Sequence, residues 1–363
     1  MKKIMMFAAI AVAALSSCSN SEVVDMSAGN AIGFETYVGK ATTKGTPVSG
    51  GTFADTSTMR VWGCTSADQL GTDYTAVTGL IPNLSSGTKV SKAGGVWSYT
   101  PLAYWKANVA HSFFACSPFI DDSSLSYNQG KFTYIVKDNI SEQVDFMVAD
   151  PIKKAKWNGT EEMVSQVFNF HHALSQIKFS AKIVVDAEET VAKNVRVKSI
   201  LMENMEADET IASTLATTNT IDVIGKTDAN AITYTSAATG TVNGYTVTPT
   251  TPVVLPAAST TPADYTLVNH AAGDEILMLM PQTTTGKVRF TITFVYDTAT
   301  ATGLEKDASF ITNAAQTWAP NKIYSYKFDI NMPNVMEQKP VVFGEPTVNT
   351  WTDDSEGESL DNN

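Results

Sequence analysis

The chain has 363 residues, 43% of them hydrophobic, with 25 basic and 37 acidic side chains and a formal net charge of −12. A surface of that sign repels phosphate backbones and excludes nucleic acid as a partner. The apolar content is enough for packed cores rather than disorder, and the length suggests two domains.

Met1-Lys2-Lys3 is a short basic start, and Ile4 to Leu15 follows without a charge. That run falls short of the roughly 20 apolar residues a membrane-spanning helix needs and fits the plan of a secretory signal. Leu15-Ser16-Ser17-Cys18 then resembles a bacterial lipobox, so residues 1–17 are expected to be a lipoprotein signal peptide and Cys18 the lipidated residue. Residues 18–30 would be a tether, opening with the polar Ser19-Asn20-Ser21-Glu22. Several acyl chains make a lasting anchor because each buried methylene adds about 0.8 kcal/mol. Without the signal, 23 basic residues face 37 acidic ones, for a net charge of −14.

Beyond the tether the dominant period is two. Met59-Arg60-Val61-Trp62 reads as a strand, Leu70 to Leu84 shows no clear pattern and reads as loop, and Phe132 to Val136 reads as a strand. Lys153 to Glu162 is polar and turn-rich, with Trp157-Asn158-Gly159, and marks a boundary between domains at 31–155 and 156–332. Ile177, Phe179, Ala181 and Ile183 alternate with polar residues, as half-buried strands do. Val195 to Leu201 is a further strand, and the Thr-, Ala- and Asn-rich stretch from Thr210 to Ser259 suggests edge strands with long loops. Val288, Phe290, Ile292, Phe294 and Tyr296 alternate again, as do Tyr324, Tyr326, Phe328 and Ile330. Asn331-Met332-Pro333 makes a break. Two short apolar pieces follow, Val341 to Phe343 and Thr347 to Trp351, then an acidic tail within 333–363. Many short strands separated by turn residues predict an all-β chain of β-sandwiches.

Little in the chain points to chemistry. Of the histidines His111, His171, His172 and His270, the adjacent pair would face opposite sides of a strand and could not share a metal. There is no Cys-x-x-Cys pair, no phosphate-binding glycine loop and no Gly-x-Ser-x-Gly elbow. No catalytic residue, metal or cofactor is expected, and the chain is not read as an enzyme. Asp121-Asp122 and Asp353-Asp354 read as solvated loop pairs. Cys64 and Cys116 could pair in an oxidising compartment or stay as buried thiols. Trp62, Trp97, Trp105, Trp157, Trp318 and Trp351 could stack on sugars or pack in cores.

Several segments taken together resemble the fimbrillin-like (Mfa-like) family of lipoprotein pilin and adhesin subunits, which build type V pili. They are Cys18 in its lipobox, Ala31-Ile32-Gly33-Phe34-Glu35-Thr36-Tyr37-Val38, Lys40 to Gly45, and Asp145-Phe146-Met147-Val148-Ala149. Further on come Val167-Phe168-Asn169-Phe170-His171-His172-Ala173-Leu174-Ser175-Gln176-Ile177-Lys178-Phe179, Trp318 to Tyr326, and Pro346 to Trp351. The Phe-His-His-Ala-Leu-Ser segment following Asp-Phe-Met-Val-Ala is the most specific.

The resemblance implies two tandem transthyretin-like β-sandwiches and a surface-exposed location at the cell outer membrane, in a fimbrium with an adhesive role. It implies lipid (palmitate) on Cys18 before processing, a processing protease, and assembly with other pilin subunits by strand exchange. The removable strand would be 31–39, presenting Ile32, Phe34, Tyr37 and Val38, with cleavage at Lys40 or Lys44 in the loop that follows. The donated strand would present Val341, Phe343, Val348 and Trp351; alternatively that segment only completes its own domain. In the best-known members processing resembles cleavage after arginine, whereas this loop has only lysines, and Arg60 lies in a strand that should protect it. A host or glycan ligand is compatible with the family. A lipid-anchored surface glycan-binding protein is the second reading, which exposed, coplanar tryptophans would favour.

Overall fold

The computed structural model describes residues 30–38, 53–158, 164–188, 190–206, 212–224, 233–234, 239–258, 265–267, 276–337, 341–343 and 346–350. The described chain is almost entirely β, in four sheets. The first sheet has nine strands: β1 (Phe34–Val38), β2 (Thr58–Ser66), β3 (Val77–Leu80), β4 (Thr88–Ala93), β5 (Val96–Ser98), β6 (Ala110–Ser117), β9 (Met147–Ala149), β10 (Ile152–Lys154) and β11 (Gln166–His172). The second has β7 (Leu125–Asn128), β8 (Lys131–Ile135), β15 (Leu215–Asp222), β16 (Thr233–Tyr234) and β17 (Thr239–Val242). The third has β12 (Ser175–Val185), β20 (Tyr265–Thr266), β21 (Leu277–Leu279), β24 (Lys322–Asn331) and β26 (Thr347–Thr350). The fourth has β13 (Lys193–Met205), β14 (Ala212–Ser213), β18 (Tyr245–Val247), β19 (Val253–Val254), β22 (Gln282–Asp297), β23 (Leu304–Trp318) and β25 (Val341–Phe343).

The alternating stretches become the two faces of one sandwich. Ile177, Phe179, Ala181 and Ile183 of β12 and Tyr324, Tyr326, Phe328 and Ile330 of β24 are buried against Val288, Phe290, Ile292 and Phe294 of β22. Rings interlock across the layer, with Phe290 4.7 Å from Tyr326 and 5.8 Å from Phe179. Trp318 seals one end, its Nε1–H donating to the Tyr326 hydroxyl at 3.0 Å. β13 departs from simple alternation. Val195 and Val197 are buried, and so are Ile200 and Met202, because a register shift between Val197 and Ser199 flips the phase. After β24 the helix α1 (Met332–Met336) is capped by Asn331, whose side chain accepts from the Asn334 amide at 3.2 Å.

The first sheet curls on itself. Its terminal strands β1 and β5 lie against each other around a core of Ile32, Phe34, Trp97, Tyr99, Phe113, Phe168 and Phe170. Its opposite face carries Trp62, Cys64, Phe114 and Phe146, which pack under the second sheet on Phe132, Tyr134 and Ile221. Leu70, Ile81 and Leu84 are buried anchors in the stretch read as loop, which also holds β3.

Two pairings cross the boundary expected after residue 155. β11 lies beyond it yet joins the first sheet, parallel to β1 and antiparallel to β9. β15 lies inside the stretch read as edge strands, yet it is interior to the second sheet. It pairs with β8 from Thr218↔Ile135 to Asp222↔Lys131 and with β16 and β17. Thr133 and Thr220 share a hydroxyl hydrogen bond of 2.6 Å, and Lys131 pairs with Asp222 at 3.4 Å. The first sheet therefore runs to residue 172, and the two halves of the chain are laced together. Local periodicity cannot show this, because partner choice is set by non-local packing.

Cys64 and Cys116 are free, buried thiols. They sit on neighbouring strands, but Cys64 faces Ser112 and Cys116 faces Arg60. That offset of four residues is roughly 13 Å along a strand, far beyond disulfide reach. Burial pushes the Cys64 thiol up to about 11 and raises that of Cys116 further.

Two predictions follow from this geometry. A fragment of residues 31–155 lacks β11 and β15, and it is expected to show no cooperative urea transition by circular dichroism; a sharp transition would mean that the lacing is dispensable. In Cys18→Ala protein both remaining thiols are expected to react with a thiol reagent only after denaturation, and fast labelling of the native protein would contradict their burial.

Candidate functional site

The N-terminal strand is built into the first core. Its ladder runs along β11 from Phe34↔Gln166 to Val38↔Phe170. Just before it, the Ile32 amide donates to Ala103 O at 2.9 Å, the Trp105 amide donates to Asn30 O at 3.0 Å, and the Tyr99 hydroxyl donates to Ile32 O at 2.6 Å. The side chains do the larger part. Phe34 is fully buried, with its ring 5.5 Å from Phe168, 5.6 Å from Phe113 and 5.6 Å from Tyr99. Burying Phe34 and Ile32 contributes roughly 1.5–3 kcal/mol each. The Trp97 indole N–H donates to Thr36 Oγ1 at 2.9 Å. β1 thus covers a groove walled by Trp97, Tyr99, Phe113 and Phe168.

The predicted removable strand therefore includes Ile32 and Phe34 as core residues and Tyr37 and Val38 as ladder positions opposite Asn169 and Phe170. Lys40 and Lys44, like Cys18, lie outside the described residues. Arg60, the nearby arginine, is tied down. Its guanidinium donates to Ser86 O, Gly87 O and Ile120 O at 2.8–3.2 Å and lies over the Trp62 and Phe119 rings at 5.1 and 5.4 Å.

At the other end of the chain, β25 runs parallel to Phe310–Thr312 of β23, and β26 runs antiparallel to Lys322–Ser325 of β24. Val341 and Phe343 are thus in an outermost strand of the fourth sheet. Val348, about half exposed at 49%, is in an outermost strand of the third. Trp351 lies outside the described residues. In this structure both strands complete sheets of their own chain, and among the described residues each pairs with a single neighbouring strand.

The junction between the halves lies at the His-His motif. His172 Nδ1–H donates to the Asp145 carboxylate at 2.8 Å, and His171 Nε2 lies 3.0 Å from the Asp150 carboxylate. The two rings engage different carboxylates from the stretch that contains β9. The Ala173 amide donates to Phe146 O at 2.9 Å, and the Tyr234 hydroxyl donates to Ala173 O. The Asn321 amide donates to Leu174 O at 3.1 Å, and the Ser175 hydroxyl donates to Ala319 O at 2.8 Å. Asp145 opens the Asp-Phe-Met-Val-Ala segment quoted above, whereas Asp150, directly after it, is a junction residue that the sequence reading passed over.

Trp62, Trp97, Trp105, Trp157 and Trp318 are all buried, at 5% exposure or less. None of these five offers a sugar-stacking face. A cleft of about 570 Å³ between the second and fourth sheets is lined by uncharged groups, among them Asn204, Asn219, Tyr234, Thr241 and Gln282, and holds no tryptophan.

The family of fimbrillin-like proteins matches residues 43–351. The chain belongs to the fimbrillin-like family. Among solved structures, a fimbrial protein from Bacteroides vulgatus superposes with a TM-score of 0.55 at 15% identity, covering 89% of this chain and 99% of that one. A candidate cell-adhesion protein from Bacteroides ovatus gives a TM-score of 0.48 at 12% identity, covering 89% and 96%. Another from Bacteroides uniformis gives 0.44 at 15% identity, covering 89% and 100%. No curated protein matches the chain. The Bacteroides vulgatus likeness supports the fold; the family match supports the place of this fimbrillin-like chain among pilus subunits and adhesins.

Phe34→Ala leaves a hole in the groove and is expected to cost about 3–5 kcal/mol, read as a lowered urea midpoint together with faster trypsin cleavage near residue 40. An unchanged midpoint and cleavage rate would mean that β1 is not held by this ring.

Proposed function

We propose that this fimbrillin-like protein is a structural subunit of a surface pilus, exported as a lipoprotein acylated on Cys18 and assembled by protease-triggered strand exchange. The observation that carries this reading is the seating of β1 over an aromatic groove, with the polar, lysine-containing stretch Lys40 to Gly45 following it in the sequence. Cleavage at Lys40 or Lys44 severs the strand, together with its tether and lipid, from the rest of the subunit. Loss of residues 31–39 uncovers the groove beside β11, and the C-terminal strand of another subunit fills it. Strand addition of this kind takes affinity from main-chain hydrogen bonds and specificity from side-chain pockets. Val341, Phe343, Val348 and Trp351 supply the apolar side chains, which must first leave the sheet edges where β25 and β26 rest.

The two sandwiches are read as transthyretin-like, and the finished subunit as part of a fimbrium at the cell outer membrane with an adhesive role toward a host or glycan ligand. The lipid-anchored glycan-binding alternative loses its expected support, because five of the six tryptophans are in cores.

Deleting Glu337–Asn363 is expected to leave both sandwiches folded but to abolish polymer growth after trypsin treatment, measured by light scattering and circular dichroism. Undiminished polymerisation of the folded deletion variant would remove the donor role from this segment.

A further inference from the structure

The path of the chain between the groove and the C-terminal strands has a mechanical consequence. β11 lines the groove, and only Ala173 and Leu174 separate it from β12. Both residues are buried, and both are held by the main-chain bonds described above. β12 lies parallel to β24 over ten register pairs, from Ser175↔Lys322 to Val185↔Asn331. β24 then leads through α1 to β25 and β26.

We infer that the β12–β24 pair is a shear clamp that transmits tension through the subunit. This inference rests on the strand-exchange reading for the source of the tension. A neighbour's strand seated beside β11 pulls on β12 at its Ser175 end. The subunit's own C-terminal segment, seated in the next groove, pulls on β24 at its Asn331 end. Because the strands are parallel, these forces act at opposite ends of the pair and in opposite directions. All the ladder bonds are then strained together. Were the two strands antiparallel, the same forces would act at one end and open the bonds one by one.

The surroundings suit that role. The pair is backed by Phe290, whose ring centroid is 5.5 Å from that of Phe328. At the Ser175 end, the Ser175 hydroxyl and the Leu174 carbonyl are tied to the turn that feeds β24, through Ala319 and Asn321. At the far end Lys182 pairs with Asp329 at 3.4 Å, and α1 inserts the buried Met332 and Val335.

The test is single-molecule pulling on the full Cys18→Ala chain with maleimide handles, Cys64 and Cys116 being buried. Val164→Cys with Glu337→Cys loads the pair from opposite ends, since Val164 is exposed just before β11. Val185→Cys with Glu337→Cys loads the same pair from one end. At equal loading rate the first geometry is expected to rupture at a force at least about twofold higher, since forced unfolding follows the barrier along the pulled direction. Equal forces, or a weaker first geometry, would overturn the clamp. The measurement uses monomers, so its failure leaves strand exchange standing, and a failure of polymerisation leaves the measured clamp unchanged.

Discussion

β11 is hydrogen-bonded on both sides, to β1 by a parallel ladder and to β9 by an antiparallel one, and the chain leaves it almost directly into β12. Everything else depends on that double pairing. It turns the N-terminal strand into the cover of an aromatic groove. It also fixes the step between halves through His171, His172 and their separate carboxylates. Buried polar groups of this kind are tolerable only when paired. The pairing explains why the Phe-His-His-Ala-Leu-Ser run stands out: Phe168 and Phe170 belong to the groove, His171 and His172 to the junction, and Ile177 to the next core.

The consequence is a subunit whose halves are joined by more than a linker. β8 and β15 share a sheet although they lie far apart in sequence, and Leu215 and Ile221 of β15 reach into different cores. At the rims, among the described residues, β1, β25 and β26 each form a ladder with one neighbouring strand.

Much of the third and fourth sheets was legible. The alternation at Val288–Phe294 and Tyr324–Ile330 places those side chains inside, because a period of two on a half-buried strand leaves no other choice. The phase flip in β13 was not legible, since a bulge leaves no composition mark at Val197–Ser199. The domain boundary expected after residue 155 rests on Trp157-Asn158-Gly159, which signals a turn but not which sheet the next strand joins; β11 joins the first. The cysteines had two open readings until the register of β2 and β6 separated them. In the candidate site, Ile32 and Phe34 were legible as apolar residues ahead of a polar stretch of sequence. Their aromatic neighbours, drawn from three other strands and a loop, were not.

The measurement that bears most directly on strand exchange is limited trypsin digestion of Cys18→Ala protein, followed by intact mass and a gel run without boiling. The account predicts a first cut at Lys40 or Lys44 and a ladder of detergent-resistant multimers. No cut in that loop, with the protein remaining monomeric, would make β1 a permanent strand and contradict the account.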